Sequence, residues 1–150
     1  MFLRAKDSPA SRTSAIADTG YLVALVRTED EHHEWATALA SELELPLLTC
    51  EAVLAETAFH LRSNAYVLSM LEREALRIAF DCTRNLESLL GLARRYADRR
   101  PDLADLCLIR MSELYPRHSI ITVDEEDFRV YRRNKRDVIP LVCPPKKRLR

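Results

Sequence analysis

The sequence predicts an α/β domain, with a central, mainly parallel sheet of four to five strands between layers of helix. Short apolar runs alternate with longer amphipathic or apolar stretches, the pattern of strand and helix units that sandwich a parallel sheet. Two of those runs, Ala15-Ile16-Ala17 and Ile120-Ile121-Thr122-Val123, are each closed by an aspartate, Asp18 and Asp124. The chain holds only two glycines, Gly20 and Gly91, too few for the many turns of a β-rich fold.

The elements follow in order. Residues 14–18 read as a strand, 21–27 as a short helix and 31–44 as a longer amphipathic helix carrying Trp35, Leu39 and Leu43. Pro46 breaks that helix, and Leu47-Leu48-Thr49 is a short buried strand. A helix over 51–61 looks apolar on nearly all sides, and Ser63-Asn64 marks a turn. Residues 65–79 read as helix, 80–83 as a brief strand and 86–97 as helix. Pro101 opens the next helix, which runs to about Tyr115, because proline is tolerated in a first turn where its missing N–H is not needed. Residues 119–123 form the clearest strand, and 138–142 a last one that Pro140 assigns to a sheet edge.

At 150 residues and 47% apolar composition the chain is one domain able to bury a core without staples. Cys50, Cys82, Cys107 and Cys143 lack the paired spacings of zinc sites and read as reduced core residues. No apolar run suits a secretion signal or a membrane span, which points to the cytoplasm. Net charge is zero, yet the charges are segregated. Nine acids face Arg27 alone between Asp18 and Glu56, and nine bases face Asp137 alone between Arg129 and Arg150. A basic segment beside an acidic pocket suits a polyanion gripped by its backbone, which makes Arg132, Arg133 and Arg136 candidate contacts for its phosphates; a solvated charged tail is the plainer reading.

Four carboxylates stand where an apolar or neutral residue is expected: Asp18, Glu56, Asp105 and Asp124. Asp18 and Asp124 end strands, where ligands of open parallel sheets bind. Glu56 lies within the apolar run Ala52 to Phe59, and a lone acid there needs a partner or a metal. Asp102 and Asp105 share one side of a first helical turn, where Asp102 suits an N-cap and Asp105 lies nearer the interior. Asp127 is secondary to Asp124 at the last strand-to-helix junction. Converging acids repel, and two of them 4 Å apart cost on the order of 4 kcal/mol at an effective dielectric near 20, which a divalent cation relieves. Oxygen ligands favour Mg²⁺ or Mn²⁺ over zinc.

Other chemistries are less well supported. Glycine-rich phosphate loops are excluded by the glycine count. Asp18-Thr19-Gly20 also spells the aspartic-protease signature, but that fold is β-rich and glycine-rich. His32 and His33 are adjacent rather than one turn apart and belong to the surface. Cys50 lacks a nearby histidine base.

Together, Ala17-Asp18-Thr19-Gly20, Val53-Leu54-Ala55-Glu56-Thr57, Asp102-Leu103-Ala104-Asp105-Leu106 and Thr122 to Phe128 resemble the PIN-domain ribonucleases, and among them the VapC toxins of toxin–antitoxin pairs. The resemblance implies a three-layer α/β/α PIN-like nuclease domain over 15–143, a flexible extension over 1–14 and a basic tail over 144–150. It implies an acidic quartet of Asp18, Glu56, Asp105 and Asp124, with Asp18 and Asp105 as the Mg²⁺ ligands and Thr19, Asp102 and Asp127 as accessories. Gly20 stands where many relatives carry serine. The activity implied is metal-dependent endoribonuclease action on RNA, silenced by a cognate VapB-like antitoxin that reaches the acidic pocket with an arginine. Leu22, Leu25, Trp35 and Leu39 could form its apolar groove, and a homodimer through the same helices is also expected. The alternatives are a non-catalytic PIN-like RNA-binding or assembly module, which has no use for a costly acidic cluster, and an aspartate-based phosphatase, which needs a second acid where Gly20 stands.

Overall fold

The protein is described here by a computed structural model covering residues 11–146. Along the chain run β1 (Ala15–Ala17), α1 (Thr19–Val26), α2 (His33–Ala40), β2 (Leu47–Thr49), α3 (Glu51–Leu61), α4 (Asn64–Glu72) and β3 (Leu76–Ile78). Then follow α5 (Leu86–Arg95), α6 (Leu103–Leu114), β4 (Ser119–Ile121), α7 (Glu125–Val130), β5 (Arg132–Arg133), β6 (Asp137–Val138) and β7 (Leu141–Val142).

Five strands form one wholly parallel sheet in the order β3-β2-β1-β4-β7, with Ile16 beside both Leu48 and Ile120. Ile16, Ile120 and Ile121 are fully buried, as expected where helices cover a parallel sheet. Most of α6 is buried, with Leu108, Ile109 and Met111 inaccessible to solvent. The chain moves outward from β1 through β2 to β3 and then returns to β4 on the other side of β1. That reversal of direction opens a crevice at the carboxyl ends of β1 and β4. The backbone N–H of Asp18 still donates to Ile121 O at 3.1 Å, so the two strand ends are held in step.

Several elements differ from expectation. The helix expected over 65–79 stops at Glu72, because Glu74 takes a left-handed φ of 58° and Ala75 N–H closes back on Met70 O. The third strand is therefore Leu76–Ile78 rather than 80–83, and a 3₁₀ turn covers Thr83–Asn85. The expected 31–44 helix shortens to α2, and buried Leu43 lies in a parallel bridge with Thr13. Thr13 exchanges backbone hydrogen bonds with Glu42 and Glu44, and Ser14 Oγ donates to Glu44, so residues 13 and 14 are tied to the segment before β2. Residues 1–10 of the expected extension and 147–150 of the basic tail lie outside the described residues.

The helix over 51–61 is not buried all round, since α3 leaves Phe59 on the surface. The last strand divides at Pro140, whose carbonyl still accepts from Ile120 N–H while Leu141–Val142 form the sheet edge. Val138 belongs instead to an antiparallel hairpin of β5 and β6, turned by Asn134 and Lys135 in the left-handed region. Cys50 and Cys107 are buried, but Cys82 is exposed and Cys143 only half-buried, so the cysteines are not all core residues. Among the described residues no helix is long and apolar enough to cross a membrane.

Candidate active site

Asp18 leaves β1 and caps α1. Thr19 N–H donates to its Oδ1 at 2.7 Å, and Thr122 Oγ, just beyond β4, donates to its Oδ2 at 2.7 Å. Asp18 is only 5% exposed, and burial pushes its carboxyl up to about 6 against the pull of those two donors, with Asp124 and Glu56 adding repulsion. Thr122 Oγ also accepts from Asp124 N–H at 3.0 Å, so one hydroxyl ties the ends of both aspartate-bearing strands together.

Glu56 projects from α3 and accepts from Thr19 Oγ at 2.8 Å. Asp102 caps α6, as its position suggested, by accepting from Asp105 N–H at 2.8 Å. Asp105, in the first turn of that helix, is pushed up to about 8 by burial and by the charges of Asp102, Asp18 and Asp124. Tyr131 hydroxyl donates to Asp105 Oδ2 at 3.3 Å, and the buried ring is held edge-on by Tyr96 and Phe128. Asp124 is exposed at the start of α7 without capping it, and its pKa is raised by burial and by Asp127 and Asp102.

All four acids of the expected quartet, with Thr19 and Asp102, line one cleft of about 650 Å³. Asp30, Glu31, His32 and His60 line it too, whereas Lys and Arg are absent from its lining among the described residues. Gly20 and Val123 form an apolar part of the wall, and a Cβ on Gly20 would lie 2.3 Å from Val123 Cγ2. Val123 therefore fills the space that a serine side chain at position 20 would need.

Other expected residues sit elsewhere. Asp127 is exposed on α7 outside the cleft lining. Arg132 Nη1 donates to the carbonyls of Arg129 and Tyr131, and Arg133 Nη1 to those of Ser112 and Pro116, so both close helix ends. Arg136 is exposed in the hairpin turn. Leu22 is fully buried in the core, and Leu25, Trp35 and Leu39 are partly buried against it, so α1 and α2 spend much of the expected groove on packing each other. Thr122 and Tyr131 were not singled out by the sequence, and His32 is half-buried at the cleft rather than a plain surface residue. The one available signal was a polar threonine closing the apolar β4 run.

The carboxylate oxygens of the quartet, converging on a cleft whose described lining lacks Lys and Arg, suit a hard divalent cation. The carboxyls of Asp18 and Asp105 are both pushed up chiefly by burial, with neighbouring acids adding repulsion. Among the described residues no three His, Cys, Asp or Glu side chains stand close enough to close a cage as they are. The chemistry of the donors therefore fits such an ion, although no ligand cage is formed among the described residues.

A family model of the PIN domain matches residues 15–134, which span β1 to the turn of the β5–β6 hairpin and include every residue of the acidic quartet. The comparison with curated proteins found no match.

Proposed function

The chain belongs to the PIN-domain family, generally metal-dependent nucleases, and from that premise we propose that it is a Mg²⁺- or Mn²⁺-dependent endoribonuclease and the VapC-type toxin of a toxin–antitoxin pair. The observation that carries the reading is the convergence of Asp18, Glu56, Asp105 and Asp124 on one cleft whose described lining lacks Lys and Arg. Asp18 and Asp105 would hold the ion. Glu56 and Asp124 would complete its shell or orient the attacking water. The ion, when bound, supplies the charge that orients the scissile phosphate and makes water a better nucleophile.

The remaining work belongs to the chain. Thr19 N–H and Thr122 Oγ aim the two oxygens of Asp18, much as outer-shell donors orient ligands at other metal sites. Thr19 Oγ fixes one oxygen of Glu56 and leaves its other oxygen available to water. Tyr131 aims Asp105. Gly20 and Val123 exclude water from one wall. In the same reading the protein acts in the cytoplasm, pairs with a second copy of itself, and is silenced by an antitoxin whose arginine enters the cleft, where a guanidinium can pair bidentately with carboxylates.

The test is to incubate the purified protein with total RNA and map new ends with and without EDTA. New ends that vanish in EDTA and return with Mn²⁺ support the reading. An identical cleavage pattern in excess EDTA contradicts it. Inhibition is tested by adding the co-purified product of the adjacent gene, and a stable complex that stays fully active removes the antitoxin part.

A further inference from the structure

A second groove adjoins the acidic cleft. It has a volume of about 720 Å³ and is lined by Arg27, Ala58, Phe59, His60, Arg62 and Ser63 among others. His60 lines both cavities, which places them side by side. Their chemistry is opposite. The cleft presents carboxylates, whereas the groove presents two arginines and the ring of Phe59, which is 78% exposed.

The groove is also held in shape. Arg27, at the end of α1, donates through Nη2 to the carbonyl of His60, joining the ends of α1 and α3. Arg62 ends α3 with a left-handed φ of 53°, a conformation that favours glycine, and Ser63 N–H closes the turn on Ala58 O. Among the described residues no carboxylate pairs with the Arg62 guanidinium. The rings of Phe59 and His60 meet at near right angles, 5.6 Å between centroids, and most of Phe59 remains open to solvent.

We propose that this groove is a single-stranded RNA subsite, in which a base stacks on Phe59 and a neighbouring phosphate is met by Arg62. The proposal rests on the ribonuclease reading and specifies how substrate is held beside the site. An acidic cleft repels a polyanion, so a strand lying across it needs cations nearby, and stacking on an exposed ring accepts any base. A protein-docking face would centre on a wider apolar patch. Here Phe59 shares the groove with only the small apolar residues Ala55 and Ala58 and with the polar Arg62, Ser63 and Asn64, a setting that suits a phosphate backbone.

The test is fluorescence anisotropy of a labelled single-stranded RNA oligonucleotide in excess EDTA, at several salt concentrations, with the parent protein, Phe59→Ala and Arg62→Gln. Both side chains are outside the core, and circular dichroism confirms that each variant keeps its fold. The expected result is a loss of affinity of about 5- to 100-fold for Phe59→Ala, and for Arg62→Gln a salt slope smaller by about 0.7. Affinity and slope unchanged in both variants would overturn the subsite, and so would unchanged RNA binding with loss of a co-purifying protein. If the parent cleaves RNA while the variants bind it like the parent, the subsite alone falls. If the parent neither binds nor cleaves RNA, the ribonuclease reading falls with it.

Discussion

The acidic cleft and the basic β5–β6 hairpin treat charge in opposite ways. In the hairpin, Arg132 and Arg133 direct their guanidiniums at backbone carbonyls that helix ends leave free. In the cleft, Asp18 is buried and Asp105 half-buried beside further acids, and their pKa values rise to about 6 and about 8. A dense run of charge is thus a poor guide to function by itself. Charge whose compensation is built into the fold maintains the fold, and charge left uncompensated marks the place for a ligand.

The largest test of that contrast is Asp18→Asn. Loss of a ligand should lower cleavage by more than about 100-fold, because even outer-shell partners of metal ligands cost 10- to 100-fold when removed. The same change should stabilise the ion-free protein. Asp18 titrates near 6 when folded and near 3.8 when unfolded, so the folded state holds the proton more tightly. The stability this confers is complete below pH 3.8 and is lost as pH rises through 6, and Asp105 extends the loss towards pH 8. Urea denaturation in EDTA should show the parent weaker at pH 8 than at pH 5, with Asp18→Asn recovering on the order of 3 kcal/mol at pH 8. Cleavage runs the other way, rising from pH 6 to 8 as the ligands ionise. A parent protein more stable at pH 8 than at pH 5 in EDTA would contradict the uncompensated-charge account.

Thr122→Val probes the next level. It removes the donor to Asp18 Oδ2 and the acceptor of Asp124 N–H while preserving shape. Mn²⁺ affinity should fall about 10- to 100-fold, with the fold retained. Equal Mn²⁺ affinity in parent and variant would assign Thr122 to the fold alone.

On the basic side the effects should be smaller and of another kind. Arg133→Gln strips two carbonyls of their donor and should cost about 1–3 kcal/mol of stability in urea, with little change in cleavage. Arg136→Gln should leave stability unchanged and reduce the salt slope of RNA binding by about 0.7 if that residue meets a phosphate. A large loss of RNA affinity in Arg133→Gln, at full stability, would erase the distinction between the two regions.

Much of the site was legible because its acids break local rules. Asp18 and Asp124 end apolar strands, and Glu56 interrupts an apolar helix. The sheet was legible wherever apolar runs were continuous, as at Leu47-Leu48-Thr49 and Ile120-Ile121. It was not legible at Leu76-Arg77-Ile78, where the helical pattern runs on from α4 and the break is made by Glu74, a left-handed residue without a glycine signature. The hairpin was hidden for the same reason, since Asn134 and Lys135 turn it from inside a charge run. Tyr131 and Thr122 owe their places to contacts across 26 and 104 residues, which no local pattern encodes.

If the cleft acids form a cation site, Mn²⁺ titration calorimetry at pH 7 in two buffers of different ionisation enthalpy should show binding coupled to proton release. Because Asp105 titrates near 8, it is largely protonated at that pH, so binding should release about one proton per ion. Asp18→Asn and Asp105→Asn should each bind more weakly. Binding of equal strength in Asp18→Asn, or without any proton release, would contradict the account.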